Sequence, residues 1–282
     1  MRKVLIPTDF SENSLNALKY AVEVFKYEHC DFFILHAYAD EVYDQNAHMA
    51  RELFNEIKDN VYQNSEKELT KIEEILQQIS PNPRHSYTTL SKFGQLVDES
   101  NEIIEEENVD IVVMGTKGKT DNSKITFGSN TLQVIKYVKS PVLVIPNGCT
   151  YTPPKNILFP SDYQLPYKRR ELKLLYTMAR SFRSKINFLW VSTNDKLSIR
   201  QEDNKEFLET SLSGVELESH RISSKSLTIA INEFIEHKGI DFLVMVNSRH
   251  SYMENILYNS TIDTIGLEIK IPFLVMQNVP RI

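Results

Sequence analysis

Four blocks of this sequence occur twice in the same order, and that internal repeat limits the possible folds more than any other feature. Residues 4–9 read Val-Leu-Ile-Pro-Thr-Asp, and residues 157–162 read Ile-Leu-Phe-Pro-Ser-Asp, so Asp9 and Asp162 stand 153 apart. Each block leads into a stretch whose apolar residues recur every three or four positions. These are Leu15, Leu18, Val22 and Phe25 in one copy, and Leu172, Leu175, Ala179 and Phe182 in the other. That spacing predicts a helix with one buried face. The run Phe32–Ala37 matches Ile186–Val191. Val109–Met114 matches Ile240–Met245, and Ser140–Ile145 matches Ile271–Met276, both at an offset of 131. The second copy is therefore 22 residues shorter, and the polar, helix-forming stretch 42–80 is where the first copy holds its extra length.

Two domains are expected, at residues 1–147 and 155–282. Between them Gly148 and the Pro153-Pro154 pair end the preceding strand and cannot continue a ladder. Within each copy short apolar runs alternate with helical patterns. Continuous runs such as Ile111-Val112-Val113-Met114 fit strands buried on both faces, hence a parallel sheet with helices on each side. In such α/β sheets a ligand sits beyond the carboxyl ends of the strands, where the strand order reverses. The loops after the first and fourth strands are thus the places to look for chemistry.

The loop after the fourth strand is rich in glycine. Gly115, Gly118 and Gly128 fall within fourteen residues, although the whole chain has only 8 glycines. Glycine allows close backbone approach and positive φ. Ser129-Asn130-Thr131 then opens a helix whose first N–H groups and dipole suit an anion, with Lys117, Lys119 and Lys124 nearby. A glycine-rich turn with a capped helix and no ligand has the same spacing. Neither G-x-x-x-x-G-K-[ST] nor G-x-G-x-x-G is present.

The run Gly115-x2-Gly118-x9-Gly128-Ser129 is similar to the ATP-binding signature of the universal stress protein family. The order of parts is also similar: an opening Val-Leu-Ile-Pro-Thr-Asp strand, Leu35-His36-Ala37, Val112-Val113-Met114-Gly115, then Ser140-Pro141-Val142-Leu143-Val144-Ile145-Pro146. The likeness covers essentially the whole chain as a tandem two-domain member. It implies an adenine-nucleotide-binding, Rossmann-like α/β fold with five parallel strands per domain. Pro7, Thr8 and Asp9 would line the adenosine side, with Ala37 near the adenine. Met114 and Gly115 would pass the ribose, and Gly118, Gly128, Ser129 and Asn130 would hold the phosphates. As a strand-end carboxylate, Asp9 can accept ribose or adenine donors; capping the next helix is its alternative role.

The second copy departs from this pattern. The offset of 131 places Val246, Arg249 and Asn259 where the first copy has its three glycines, and Ser260 where it has Ser129. Nucleotide binding is therefore expected in the N-terminal domain, and a structural role in the C-terminal one. A bare final strand invites pairing, and the resemblance implies that the two final strands, 141–146 and 272–277, meet across a pseudo-twofold interface inside one chain. Further oligomerisation is left open.

The remaining features exclude more than they assign. The net charge is −6, and no run of five Lys or Arg occurs, so no nucleic-acid partner is indicated. Cys30 and Cys149 are too few and too far apart for a disulfide framework or a four-ligand zinc site. Asp9 and Glu12 interrupt the N-terminal apolar run before a signal segment forms, and no apolar stretch suits a membrane span; a cytoplasmic protein is expected. Of the 7 histidines none forms a close ligand pair, and His36 and Trp190 read as core residues. No metal-binding or catalytic residues are assigned. Asp121 is the one acid of the glycine loop, so a Mg²⁺ accompanying ATP would be held mainly by phosphates and water. The leading reading is an ATP-binding stress-response or regulatory protein acting on an unidentified protein partner. A slow ATP hydrolase, or a nucleotide-free interaction scaffold, are the alternatives.

Overall fold

The computed structural model describes residues 1–44, 51–116, 127–248, 252–253 and 270–278. The chain divides into two compact units, Met1–Tyr151 and Thr152–Ile282. The first contains β1 (Arg2–Pro7), α1 (Glu12–Val24), β2 (Cys30–Ala37), α2 (Ala39–Asp44), α3 (Arg51–Ile79), β3 (His85–Lys92), α4 (Leu96–Glu107), β4 (Ile111–Gly115), α5 (Ser129–Tyr137) and β5 (Val142–Ile145). The second contains β6 (Asn156–Pro160), α6 (Arg169–Phe182), β7 (Lys185–Val191), α7 (Ile199–Ser211), β8 (Glu216–Ile222), α8 (Leu227–Lys238), β9 (Phe242–Asn247) and β10 (Phe273–Gln277).

Strand order in the first unit is β3-β2-β1-β4-β5, and in the second β8-β7-β6-β9-β10. Both are the same order, 3-2-1-4-5. The pairings within each unit are parallel. The registers also agree: Val4 pairs with Ile111 as Ile157 pairs with Phe242, and Pro7 pairs with Leu35 as Pro160 pairs with Leu189. Connections run outward from β1 to β3 and then cross back to β4, so the order reverses between β1 and β4, and a crevice opens there beyond the strand ends.

Burial explains the uninterrupted apolar runs. Val4, Leu5, Ile111, Val112 and Val113 have essentially no exposed surface, as do Leu158, Phe242, Leu243 and Val244. Strands covered by helices on both faces lose the in-out alternation of a half-exposed sheet. The helices supply single stripes instead. On α3 the buried residues are Val61, Ser65, Leu69, Ile72 and Leu76, spaced by three or four.

The length difference falls between the second and third strands of each unit. There the first unit has α2 and the 29-residue α3, and the second has the 13-residue α7 alone. The extra helices pack in a hydrophobic cluster of Tyr38, Val42 and Val61, joined by Phe54, Ile57 and Phe93. The fourth strand is tied to the first in a repeated way. Asp110 accepts from Lys3 N and returns its own N–H to Lys3 O, and Asp241 does the same toward Lys155 and Asn156. Among the described residues, no helix is long and apolar enough to cross a membrane.

Candidate functional site

Pro7 ends β1, and the chain turns sharply beyond it. Thr8 N donates to Leu35 O at 2.8 Å, which fixes the turn to β2. The buried Thr8 hydroxyl accepts from Phe10 N at 3.1 Å and shares a hydrogen bond with Ser14 Oγ at 3.0 Å. Asp9 Oδ1 accepts from Ser11 N at 3.1 Å and Ser11 Oγ at 2.6 Å. Between them Phe10 is left at φ 64, a left-handed conformation that a bulky residue adopts only when its neighbours fix it. The capping role open to Asp9 belongs to Ser11, whose side chain accepts from Ser14 N. Asp9 acts one step earlier, by shaping the turn that delivers Ser11 to the cap.

At the end of β4, Met114 and Gly115 are buried next to β1. A Cβ on Gly115 would lie 2.8 Å from Asn13 Nδ2 and 2.9 Å from Asn13 Cγ. Position 115 therefore has no room for a side chain because α1 sends Asn13 beneath it. Gly115 O accepts from the buried Thr131 Oγ1 at 3.0 Å, which ties the strand end to the first turn of α5. Thr116 N donates to Ile145 O, and Gly128 N donates to Thr116 O at 2.8 Å, so the two ends of the glycine loop are held together. Gly128 is the N-cap of α5 at φ −65 and ψ 162, with no side-chain cap and no acid in the first turn. Ser129 and Asn130 follow in that turn, both exposed.

Gly115 and Gly128 are not among the positive-φ residues, so neither is required for left-handed backbone. Gly115 packs against Asn13, and at Gly128 no side chain among the described residues caps the helix start. Gly118, with Lys117, Lys119, Asp121 and Lys124, lies outside the described residues.

The parallel sheet brings Pro7, Thr8 and Asp9, Ala37, and Met114 and Gly115 to one end of the unit, and Gly115 is bonded to the start of α5. Beside Ala37, His36 is buried. Its Nδ1 lies 2.8 Å from Ser65 Oγ and its Nε2 3.3 Å from Glu41 Oε1, and Ser65 Oγ lies 2.7 Å from Ser91 Oγ. Its ring packs against Phe10, with centroids 4.4 Å apart. This agrees with its reading as a satisfied core histidine. Asn13, Ser14 and Thr131 were not legible in the sequence as site residues. Only the glycine at 115, which needs a neighbour to explain it, hinted at Asn13.

The second unit repeats the turn. Tyr163 stands at φ 56 as Phe10 stands at φ 64, and its N–H donates to Ser161 Oγ at 3.0 Å. Gln164 N donates to Asp162 Oδ1 at 2.9 Å. Asp162 thus survives as the turn-forming residue. Burial pushes its carboxyl above the ordinary range, partly offset by the Gln164 N–H. Val246, opposite Met276 as Gly115 is opposite Ile145, is buried at the end of β9. Arg249, Asn259 and Ser260 lie outside the described residues.

Comparison with known proteins agrees with this geometry. Residues 1–146 match the sequence profile of the Universal stress protein family. A universal stress protein of Methanocaldococcus jannaschii, MJ0577, is 30% identical over 163 residues, covering 51% of this chain and 94% of that protein. A second from the same organism, MJ0531, is 31% identical over 150 residues, covering 51% of this chain and 81% of its own length. The crystal structure of a universal stress protein from Archaeoglobus fulgidus shares the fold, with a TM-score of 0.71 at 18% identity over 98% of this chain and 96% of that one. The chain belongs to the universal stress protein family, as a tandem member with two α/β units.

Proposed function

We propose that this protein binds adenine nucleotide, ATP in the first instance, at one site per chain in the N-terminal unit, and serves as a stress-response regulator. The observation that supports the reading is the N-terminus of α5, which has Gly128 as its N-cap and no side-chain cap among the described residues, and which is bonded to the end of β4 at the point where the strand order reverses. Unshared N–H groups and the helix dipole favour a phosphate group there. The residues fit the ligand in kind. Pro7, Thr8, Asp9 and Ala37 take the adenosine, Met114 and Gly115 the ribose, and Gly118, Gly128, Ser129 and Asn130 the phosphates. Mg²⁺, if bound with ATP, neutralises the phosphates, and water and the phosphates hold it.

Sensing is the leading use of the site, through a change in association with a protein partner. Hydrolysis requires a base positioned for water, and the described residues give no side chain that role. The test is mass spectrometry of what co-purifies with the native protein, followed by a turnover assay. Recovery of ATP with turnover no faster than the buffer supports the sensor. Turnover abolished by Gly128→Val supports the slow hydrolase. Recovery of no nucleotide, with no uptake of added ATP, leaves a scaffold.

A further inference from the structure

The crevice of the second unit is occupied by the protein itself. Strand registers make the two units comparable residue by residue. Thr8 N donates to Leu35 O and Tyr38 N to Lys92 O, and in the second unit Ser161 N donates to Leu189 O and Ser192 N to Ile222 O. Val191, the last residue of β7, is therefore the counterpart of Ala37, the last residue of β2. The Tyr252 hydroxyl donates to Val191 O at 2.8 Å. Its ring lies with Ser161, Tyr167, Met245, Val246 and Met253 around what remains of the crevice. That space has room for about one water molecule.

The filling is specific. Tyr167 is buried and shares a 2.8 Å hydrogen bond with Ser161 Oγ, the counterpart of the Thr8 hydroxyl, which bonds to Ser14 instead. Met253 is 1% exposed. Burial raises the Tyr252 phenol well above its ordinary value, so it keeps the proton that it donates. A planar ring with one donor aimed at the carbonyl ending the second strand resembles, in shape and hydrogen bonding, a purine with an exocyclic amine.

We propose that the C-terminal crevice is a ring-binding site held shut by the chain's own Tyr252, whose phenol stands where the N-terminal unit takes its base. This rests on the reading that Ala37 marks the base end of the nucleotide site. Removing the ring opens a pocket for a planar aromatic molecule bearing a hydrogen-bond donor. Asp162 also borders this space, and a cavity left by a deleted side chain takes up a molecule that matches it in shape and in polar groups.

The test uses the full chain and p-cresol, the side chain of tyrosine as a free molecule. Tyr252→Ala should melt at a lower temperature than the parent. At tenfold excess over its Kd, p-cresol should raise that midpoint by about 3 °C. The parent and Tyr252→Phe, which keep the ring, should show no response. Ligand-observed NMR should detect p-cresol on Tyr252→Ala alone. If that variant does not fold, Tyr252→Val is compared in the same way. An equal response of parent and truncated variant, or none in either, overturns the proposal. Neither outcome depends on ATP, so ATP uptake by the parent tests the nucleotide reading separately.

Discussion

Asn13 on α1 occupies the space that a side chain at Gly115 would need, since a Cβ there would lie only 2.8 Å from its amide nitrogen. The contact joins the first turn after β1 to the end of β4, the two strands that flank the crevice. It gives Gly115 a structural reason that stands apart from any ligand. Gly115→Ala should therefore destabilise the N-terminal unit by about 1–3 kcal/mol, the usual scale of overpacking. Asn13→Ala in the same chain should recover part of that loss. Denaturant melts of the two single variants and the double variant measure it; additive losses would show that the residues do not compete.

Gly128 makes a contrasting case. Its φ of −65 is open to any L-residue, so Gly128→Ala should cost no more than about 1 kcal/mol, the loss of a favoured N-cap residue. The same variant should bind ATP more weakly, because a methyl group then stands at the helix start that receives the phosphates. Thermal melts alongside ATP titration separate the two effects. A large stability loss with unchanged affinity would assign Gly128 to folding.

Asp9 and Asp162 form the same turn in the two units. Alanine at either position should cost about 1 kcal/mol of stability through the lost hydrogen bond. Only Asp9→Ala should weaken ATP binding, by about 1–3 kcal/mol, the scale of a charge-assisted hydrogen bond. Calorimetric titration of both variants decides this, and equal effects on affinity would remove Asp9 from the site.

His85 should make the N-terminal unit sensitive to pH. Burial lowers its pKa below the ordinary 6.5, and the Phe25 carbonyl offsets this in part. Its Nδ1 is buried without a hydrogen-bond partner, and its ring packs edge-on against Phe32 and Tyr87. The folded state thus favours the neutral ring. The stability it contributes is fully present above the unfolded pKa of about 6.5 and is lost as pH falls through the lower folded pKa. His85→Gln should flatten that part of the stability curve between about pH 7 and 5. A parent curve with the same slope as the variant would show that His85 is not the titrating group.

The fold was legible because its evidence is periodic and duplicated. Apolar runs buried on both faces, repeated at fixed offsets, specify the strands, and the register of Val4 with Ile111 recurs in Ile157 with Phe242. The candidate site was legible only where chemistry coincides with a short motif. Pro7-Thr8-Asp9 and Gly115 could be found because they are adjacent in sequence or conspicuous as glycine. Asn13 and Thr131 could not, because their roles depend on a strand distant in sequence. The left-handed positions of the two turns, Phe10 and Tyr163, are not glycines and were not legible, because hydrogen bonds to the preceding Thr8 and Ser161 fix the backbone there. Nor could spacing reveal Tyr252, since it reaches Val191 across 61 residues.

The central claim is one nucleotide per chain, in the N-terminal unit. Isothermal titration of ATP with Mg²⁺ into the intact protein tests it most directly, with Gly128→Val and Tyr252→Ala measured alongside. The account predicts a stoichiometry of about one, lost in Gly128→Val and kept in Tyr252→Ala, since the binding rests on the helix start at Gly128. Two equivalents in the parent protein, or a single equivalent that survives Gly128→Val, would contradict it.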